Sequence, residues 1–253
     1  MNTISLNTRY YRAIPIDATG YEEETLELDP ERTAVVIMHC WNIGCPDGPP
    51  VDTQFCVGMG WPQATEEAWR IMKDIIRPVL DVVRTTDLHV CHVEADWMAS
   101  AYPEIESRRR PDTSQPNENW QKLIDRAHGP RYLEDSPLAQ MRRAEIVAPD
   151  ADEPLFFYTE PLDEYFRERG IDTAIYAGFA TNMCILNAAG GAQPMAARGH
   201  RCILIRDATV GTETPESFPE RLATRYGIHM FEWKLGCSTT SSDLMRALEL
   251  ELS

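Results

Sequence analysis

The sequence predicts an α/β protein, a three-layer α/β/α sandwich around a mostly parallel, Rossmann-like sheet of about six strands. Short apolar runs rich in β-branched residues, typical of strands buried on both faces, alternate with segments whose apolar residues recur at helical spacing. Strands that alternate with helices pair in parallel through right-handed crossovers. The chain has 253 residues, 43% of them hydrophobic, which is enough to bury the core of such a sandwich.

The predicted strands follow a polar N-terminal arm over residues 1–30. The first is Thr33-Ala-Val-Val-Ile-Met38, and the others are residues 88–93, 154–158, 173–177, 202–205 and 228–232. Helices are predicted at four places between and after them. They are residues 64–84 with a kink at Pro78, 162–169 closed by Gly170, 184–198 closed by Gly199, and 241–250 with a Ser or Thr cap.

Two long stretches interrupt the alternation, at residues 43–62 and 97–118. Insertions of this kind inside an α/β unit usually cover an active site or contact another subunit. Because no repeat or linker divides the chain, we expect a single domain over residues 1–253.

Charge and composition exclude several classes of protein. With 24 Lys plus Arg against 40 Asp plus Glu, the net charge is −16, so a general nucleic-acid-binding surface is not expected. No apolar run is long enough to cross a bilayer and no secretory signal is seen, so a cytoplasmic protein without a membrane partner is expected. Seven cysteines without a Cys-x-x-Cys pair argue against a disulfide framework or a zinc ribbon.

One cysteine lies where chemistry is expected. In an α/β sheet the active site gathers at the carboxyl ends of the strands, and the segment Gly178-Phe-Ala-Thr-Asn-Met-Cys184 follows the predicted fourth strand. A thiol at the start of the next helix faces backbone N–H groups that favour the thiolate and can bind an oxyanion. A small buried helix residue would fit the same position, so location alone does not decide between the two.

This segment, together with Leu162-Asp-Glu-Tyr-Phe-Arg-Glu-Arg-Gly-Ile171 and the first strand, resembles the isochorismatase-like cysteine hydrolases. The family includes nicotinamidases, N-carbamoylsarcosine amidase, and ureidoacrylate and biuret hydrolases, and the resemblance covers roughly residues 30 to 250. It implies a Cys nucleophile at Cys184, and a cis peptide at Phe179-Ala180 or Ala180-Thr181. It also implies a homo-oligomer acting on a small molecule without a cofactor.

The chain departs from the family at two catalytic positions. The resemblance implies an Asp after the first strand, where His39 stands, and a Lys after the third strand, where Thr159-Glu160-Pro161 stands. The three lysines, Lys73, Lys122 and Lys234, lie elsewhere. We therefore expect an altered set in which His39 is the general base for Cys184 and Glu160 orients the imidazole, acting on an amide, ureido or related C–N bond. A thiolate pKa below about 8.5 would accompany this arrangement. The alternative is a catalytically silent member that binds a small molecule or serves as a scaffold.

Further side chains near the strand ends are candidates for contacting the substrate, and backbone N–H groups of about Met183 and Cys184 for an oxyanion hole. The substrate contacts predicted are Trp41, Asn42, Glu94, Trp97, Thr181, Asn182 and Met183. A metal site is weighed because nicotinamidases carry one, with His89, His92, Glu94 and Asp96 as local candidates. Since the family's Asp-x-His spacing is not reproduced, no metal is predicted.

Overall fold

An eight-stranded sheet forms the middle layer of the computed structural model, which describes residues 3–55, 58–105, 118–129 and 131–251. The strands are β1 (Ile4–Arg12), β2 (Gly20–Leu28), β3 (Thr33–Met38), β4 (His89–Val93), β5 (Leu155–Phe156), β6 (Thr173–Gly178), β7 (Arg201–Ile205) and β8 (Gly236–Thr239). Their order across the sheet is β2-β1-β8-β7-β6-β3-β4-β5. The predicted fold class, an α/β protein with a mostly parallel sheet, is confirmed.

The six strands from β3 to β8 are parallel to one another. Numbered along the chain, they lie in the order 3-2-1-4-5-6, the doubly wound arrangement in which successive strands add outward from a central pair. The central pair is β3 and β6, where the direction of winding reverses. Ligands of such sheets bind at this switch point, outside the carboxyl ends of the strands.

The predicted polar arm is wrong, because the N-terminal residues form the antiparallel hairpin of β1 and β2. Hydrophobic residues alternate with polar ones along β1, so that Ile4 and Leu6 are fully buried while their neighbours face solvent. This period of two is the signature of a strand with one buried face. The charged residues of β2 obscure the pattern in the sequence.

Nine helices are seen in the described residues. They are α1 (Pro62–Ile71), α2 (Arg77–Val83), α3 (Glu118–His128), α4 (Tyr132–Asp135), α5 (Thr159–Arg169), α6 (Cys184–Asn187), α7 (Ala192–Ala196), α8 (Leu222–Lys234) and α9 (Ser241–Glu251). None of these described helices combines the length and the apolar composition that a bilayer crossing demands. Gly170 closes α5 in the left-handed conformation, as predicted.

Two predicted helices are continuous in the sequence pattern but divided in the structure. Between α1 and α2 the chain passes through a π-helical turn, Met72–Ile76, just before Pro78. The predicted helix at 184–198 is split into the short α6 and α7 at Gly190 and Gly191. Tyr176 donates a hydrogen bond of 3.0 Å to the Gly190 carbonyl at this break.

The predicted strand at 228–232 is also wrong, because these residues lie within α8. Thr224, Gly227 and Phe231 recur at helical spacing and are buried against the sheet. A Cβ at Gly227 would lie 2.7 Å from Asn182 N, so glycine permits α8 to pack directly on the turn before Cys184. The last strand is instead β8, whose short Gly-Cys-Ser-Thr sequence has little strand character.

The described parts of the two long stretches contain little regular structure. Residues 43–61 contain no helix or strand of more than three residues in the part that is described, and 97–118 begins with a 3-10 helix, Asp96–Ala101. Residues 106–117 lie outside the described residues. Whether these stretches cover the site or contact another subunit stays a prediction.

A buried carboxylate connects the N-terminal hairpin to the parallel sheet. Glu232 of α8, 2% exposed, accepts hydrogen bonds from Arg9 Nε at 2.9 Å and from Ser238 Oγ at 2.5 Å. The Arg9 side chain is 29% exposed, so water can partly compensate its charge, and loss of the carboxylate should cost about 1.5–3 kcal/mol, as is usual for hydrogen bonds to a charged group.

We therefore predict that Glu232→Ala lowers the free energy of unfolding by about 2 kcal/mol. The matched control is Glu249→Ala, an exposed position on α9, which should change stability by about 0.5 kcal/mol or less. Urea unfolding of both variants measures the difference. Equal stabilities would show that Glu232 does not hold the hairpin in place.

Candidate active site

The turn before Cys184 is fixed by the close approach of β6 to β3. Gly178 has φ 121°, and a Cβ there would lie 1.9 Å from the Met38 carbonyl oxygen. Phe179 N donates to the same oxygen at 2.9 Å. Only glycine fits this position. The peptide bond between Phe179 and Ala180 is cis, as the family resemblance implies.

Cys184 is the first residue of α6, a helix of only four residues, so the helix dipole invoked in the prediction is short. Two backbone N–H groups face the thiol region. The Ala180 backbone makes a hydrogen bond to the Cys184 thiol, and Cys184 N precedes the first intrahelical bond. Met183 N instead donates to Ala180 O at 3.2 Å. Met183 N is therefore already engaged, which corrects its predicted role as an oxyanion donor, and the N–H groups of Ala180 and Cys184 are the remaining candidates for that role.

The thiol of Cys184 lies largely inside the protein, and burial raises its pKa. The hydrogen bond from the Ala180 backbone lowers the pKa, whereas the negative charge of Glu94 raises it. The net direction is upward. This is the opposite of the low thiolate pKa expected from the sequence, so Cys184 needs a proton acceptor nearby.

His39 lies at the switch point directly after β3, as predicted. Its backbone adopts φ 51° and its N–H donates to Val93 O at 2.9 Å. The buried ring is stacked on Trp41, with centroids 5.3 Å apart. Among the residues that the structure describes, neither ring nitrogen has a hydrogen-bond partner. Burial and the nearby Arg143 charge lower its pKa to about 3.

These properties do not support the predicted proton transfer by His39. No hydrogen bond joins its ring to Cys184, and an imidazole with so low a pKa is a weak base. The predicted orienting contact with Glu160 is absent as well. Glu160 lies on α5 with a half-exposed side chain and accepts a 2.9 Å hydrogen bond from Arg198 Nη2. Glu160 is the second residue of α5, and its carboxylate is paired with Arg198 at the surface.

A buried ion pair that the sequence did not reveal lies beside this turn. Glu94, fully buried after β4, has Oε1 2.8 Å from Arg143 Nη2. Its Oε2 accepts a 2.8 Å hydrogen bond from Trp41 Nε1. Burial raises the pKa of Glu94, while Arg143 and Trp41 act in the opposite direction. The predicted substrate contacts Trp41 and Glu94 therefore belong to one connected group.

Arg143 reaches this position because its segment runs antiparallel to the chain after β3. Trp41 and Arg143 form a β-bridge, and Ala144 N donates to Cys40 O at 2.8 Å. Arg143 Nη2 donates to the carbonyl oxygens of Ile37 and Val93, at 3.1 and 3.0 Å. The guanidinium thus spans the ends of β3 and β4. An arginine in a segment without strand or helix periodicity carries no sequence signal for such a role.

Three predicted substrate contacts have structural hydrogen bonds instead. Asn42 Nδ2 donates to Asp47 O at 3.1 Å and its Oδ1 accepts from Arg142 N at 2.8 Å. The hydroxyls of Thr181 and Thr209 are 2.7 Å apart, and Asn182 Oδ1 accepts from Thr212 N at 2.8 Å. These side chains fix the loops around the site.

The remaining predicted contacts, Trp97 and Met183, are exposed, with 45% and 53% of their surface accessible. The Trp97 ring lies 6.0 Å from that of Trp41. It borders a groove of about 410 Å³ together with Met98, Ala101 and Met141. Trp97 thus lies beside the buried group rather than within it.

The metal candidates do not converge on one point. His89 Nε2 lies 3.1 Å from Glu31 O, and His92 Nε2 lies 2.7 Å from Glu153 Oε2. Glu94 is engaged with Arg143, and Asp96 is exposed. Within the described ranges, no three His, Cys, Asp or Glu side chains are grouped so that they could hold a metal ion.

Comparison with known proteins identifies a domain and similar structures. The model of the isochorismatase domain matches residues 51–225. A cysteine hydrolase from Pseudomonas syringae pv. phaseolicola 1448A has 20% identity and a TM-score of 0.59, covering 88% of this chain and 95% of its own. An isochorismatase family protein from Desulfovibrio vulgaris subsp. vulgaris str. Hildenborough has 18% identity and a TM-score of 0.53, covering 86% and 98%. At these identities the likeness establishes the fold. No curated protein matches the sequence.

The buried, unpaired His39 generates a prediction about stability. Its pKa is about 3 in the folded protein and about 6.5 when unfolded, so between these values the unfolded state binds the extra proton. The stability that the folded protein has while His39 is neutral in both states is fully present above pH 6.5, and it is lost as the pH falls toward 3. We choose His39→Asn, since Asn tolerates positive φ.

Between pH 6.5 and pH 5 the wild type should lose about 1.5 kcal/mol more unfolding free energy than His39→Asn. Urea unfolding at both pH values measures this difference. The control is His128→Asn, an exposed position on α3, which should follow the wild-type pH dependence. If the His39→Asn curve runs parallel to the wild-type curve, His39 is not held neutral by the fold.

Proposed function

Because this chain belongs to the isochorismatase family, we propose that it is a cysteine-dependent hydrolase of a small amide, ureido or related carbon–nitrogen bond. The observation that carries the proposal is the turn from Gly178 to Cys184. It places a partly buried thiol beside the backbone of Ala180, at the switch point of the sheet. The name of the cysteine hydrolase from Pseudomonas syringae supports the same chemistry.

The reaction proceeds through an acyl-enzyme. Cys184 Sγ attacks the carbonyl carbon after its proton is accepted by a neighbouring base, and the carbonyl oxygen receives hydrogen bonds from the N–H groups of Ala180 and Cys184. The C–N bond then breaks and the amine leaves with a proton. Water attacks the thioester, releasing the acid and restoring the thiol. The side chains that surround the thiol supply the proton transfers, so no cofactor is needed.

The surroundings favour a small substrate. His39 and Glu94 are buried, so a bulky substituent would have to lie outward, toward the groove that Trp97 borders. The family resemblance leads us to expect a homo-oligomer. The sequence leads us to expect a cytoplasmic protein.

A panel of small primary amides and N-carbamoyl compounds, assayed for release of ammonia, tests the proposal. We predict activity on at least one member of the panel and a decrease in kcat on the order of 10⁴-fold or more in Cys184→Ala. Cys237→Ala is the matched control, because this cysteine is buried on β8, outside the switch point. It should retain activity.

Equal activity in Cys184→Ala and wild type would refute catalysis by this thiol. Absence of hydrolysis over the whole panel, together with binding of one of its members, would favour the alternative of a catalytically silent small-molecule-binding protein.

A further inference from the structure

We propose that Glu94 is the proton acceptor and donor for Cys184, with Arg143 and Trp41 as the residues that position its carboxylate. This inference rests on the proposed function. It assigns to Glu94 the step that the sequence assigns to His39, and it replaces the acid and the lysine of the family by a carboxylate and an arginine that reach the site from other segments.

Glu94 and Cys184 both follow the carboxyl ends of parallel strands in the sheet. Glu94 follows β4 and Cys184 follows β6, with β3 between them. The three strand ends are joined directly, since Phe179 N donates to Met38 O and His39 N donates to Val93 O, both at 2.9 Å. Glu94 N is itself held by Phe156 O at 2.9 Å. The backbone that carries the carboxylate is therefore as fixed as the turn that carries the thiol.

The two carboxylate oxygens are not equivalent. Oε2 is occupied by the hydrogen bond from Trp41 Nε1. Oε1 lies 2.8 Å from Arg143 Nη2 but, within the described part of the chain, has no regular hydrogen bond. The Ala95 backbone also makes a hydrogen bond to the carboxylate, which lowers the pKa of Glu94. Arg143 Nη2 directs its hydrogen bonds to the carbonyls of Ile37 and Val93 instead. Oε1 is thus a buried acceptor with a free lone pair, the property that a proton acceptor requires.

The electrostatics agree with this geometry. The Glu94 charge is near enough to the thiol to raise the pKa of Cys184. Burial raises the pKa of Glu94 itself, which makes the carboxylate a stronger base, while Arg143 opposes its neutralisation. Burial raises the pKa of Cys40 and of Tyr102, and the negative charge of Glu94 raises both further. His39, whose pKa is lowered to about 3, stays neutral. Arg143 and Glu94 are therefore the charged pair of this site.

The proton balance closes with one carboxylate. Glu94 takes the Cys184 proton as sulfur attacks, and it gives this proton to the amine as the C–N bond breaks. It then takes a proton from the water that attacks the thioester, and this proton returns to the Cys184 sulfur as the acid leaves. Glu94 ends as a carboxylate and Cys184 as a thiol.

Glu94→Gln separates the two effects of this carboxylate. Without the negative charge, the pKa of Cys184 should fall, so that the midpoint of iodoacetamide alkylation against pH moves to a lower pH than in wild type. Without the base, deacylation should slow. After reaction with p-nitrophenyl acetate, we expect the acetyl group on Cys184 to be hydrolysed about 10²-fold more slowly than in wild type. Intact-mass spectrometry follows the acetylated enzyme.

Two further variants keep the test decisive if Glu94→Gln does not fold. Glu94→Asp retains a carboxylate and should restore part of the deacylation rate. Glu164→Gln, at an exposed position on α5, is the matched control and should deacylate like wild type. Near-ultraviolet circular dichroism of each variant verifies its fold.

The outcomes distinguish the two proposals. If a folded Glu94→Gln deacylates like wild type, Glu94 is not the proton acceptor, whereas acyl transfer by Cys184 stands. Where Glu94→Gln does not fold, a wild-type deacylation rate that stays constant as the pH is lowered contradicts the proposal equally, because protonation of a carboxylate base should slow the step. If Glu94→Gln is folded and slow but a folded Glu94→Asp regains none of the rate, Glu94 has only a structural role. If wild type is not acetylated on Cys184 at all, the proposed function itself fails.

Discussion

The approach of β6 to β3 is the constraint on which the site depends. Gly178 packs against the Met38 carbonyl so closely that a Cβ would lie 1.9 Å from its oxygen. This contact fixes the turn that presents Cys184. One residue after Met38, the His39 N–H donates to the Val93 carbonyl oxygen and fixes His39 against the end of β4. Because β3 lies between β4 and β6, one misplaced residue here would displace both the thiol and Glu94. The switch point is therefore rigid by backbone contacts, before any side chain contributes.

The charges of the site are arranged around this backbone by Arg143. One guanidinium nitrogen, Nη2, donates to the two strand-end carbonyls of Ile37 and Val93 and lies 2.8 Å from Glu94. Both charges are buried, and each would be costly alone. Glu94 and Arg143 therefore stabilise each other, and Arg143 offsets part of the burial that raises the pKa of Glu94.

Much of the fold could be predicted from the sequence, but less of the site. Five of the six predicted strands match parallel strands because apolar β-branched runs such as Thr33–Met38 are buried on both faces. The predicted strand at 228–232 fails since Ile228, Met230 and Phe231 are as compatible with a buried helix as with a strand. Cys184 and the position of His39 follow from the strand ends. Arg143 does not, because a long-range antiparallel bridge to Trp41 brings it there.

The scarcity of lysines in this chain therefore has a different meaning once Arg143 is placed. The sequence has no lysine near the position that the family resemblance implies. In the proposed mechanism the positive charge comes instead from Arg143, whose segment reaches the ends of β3 and β4. Once an arginine supplies it beside Glu94, a histidine after β3 need not carry charge, and His39 remains neutral with a pKa of about 3. In the proposed mechanism, the acid expected after β3 is replaced by Glu94 after β4, and the expected lysine is replaced by Arg143, so both departures from the family pattern concern one charged pair.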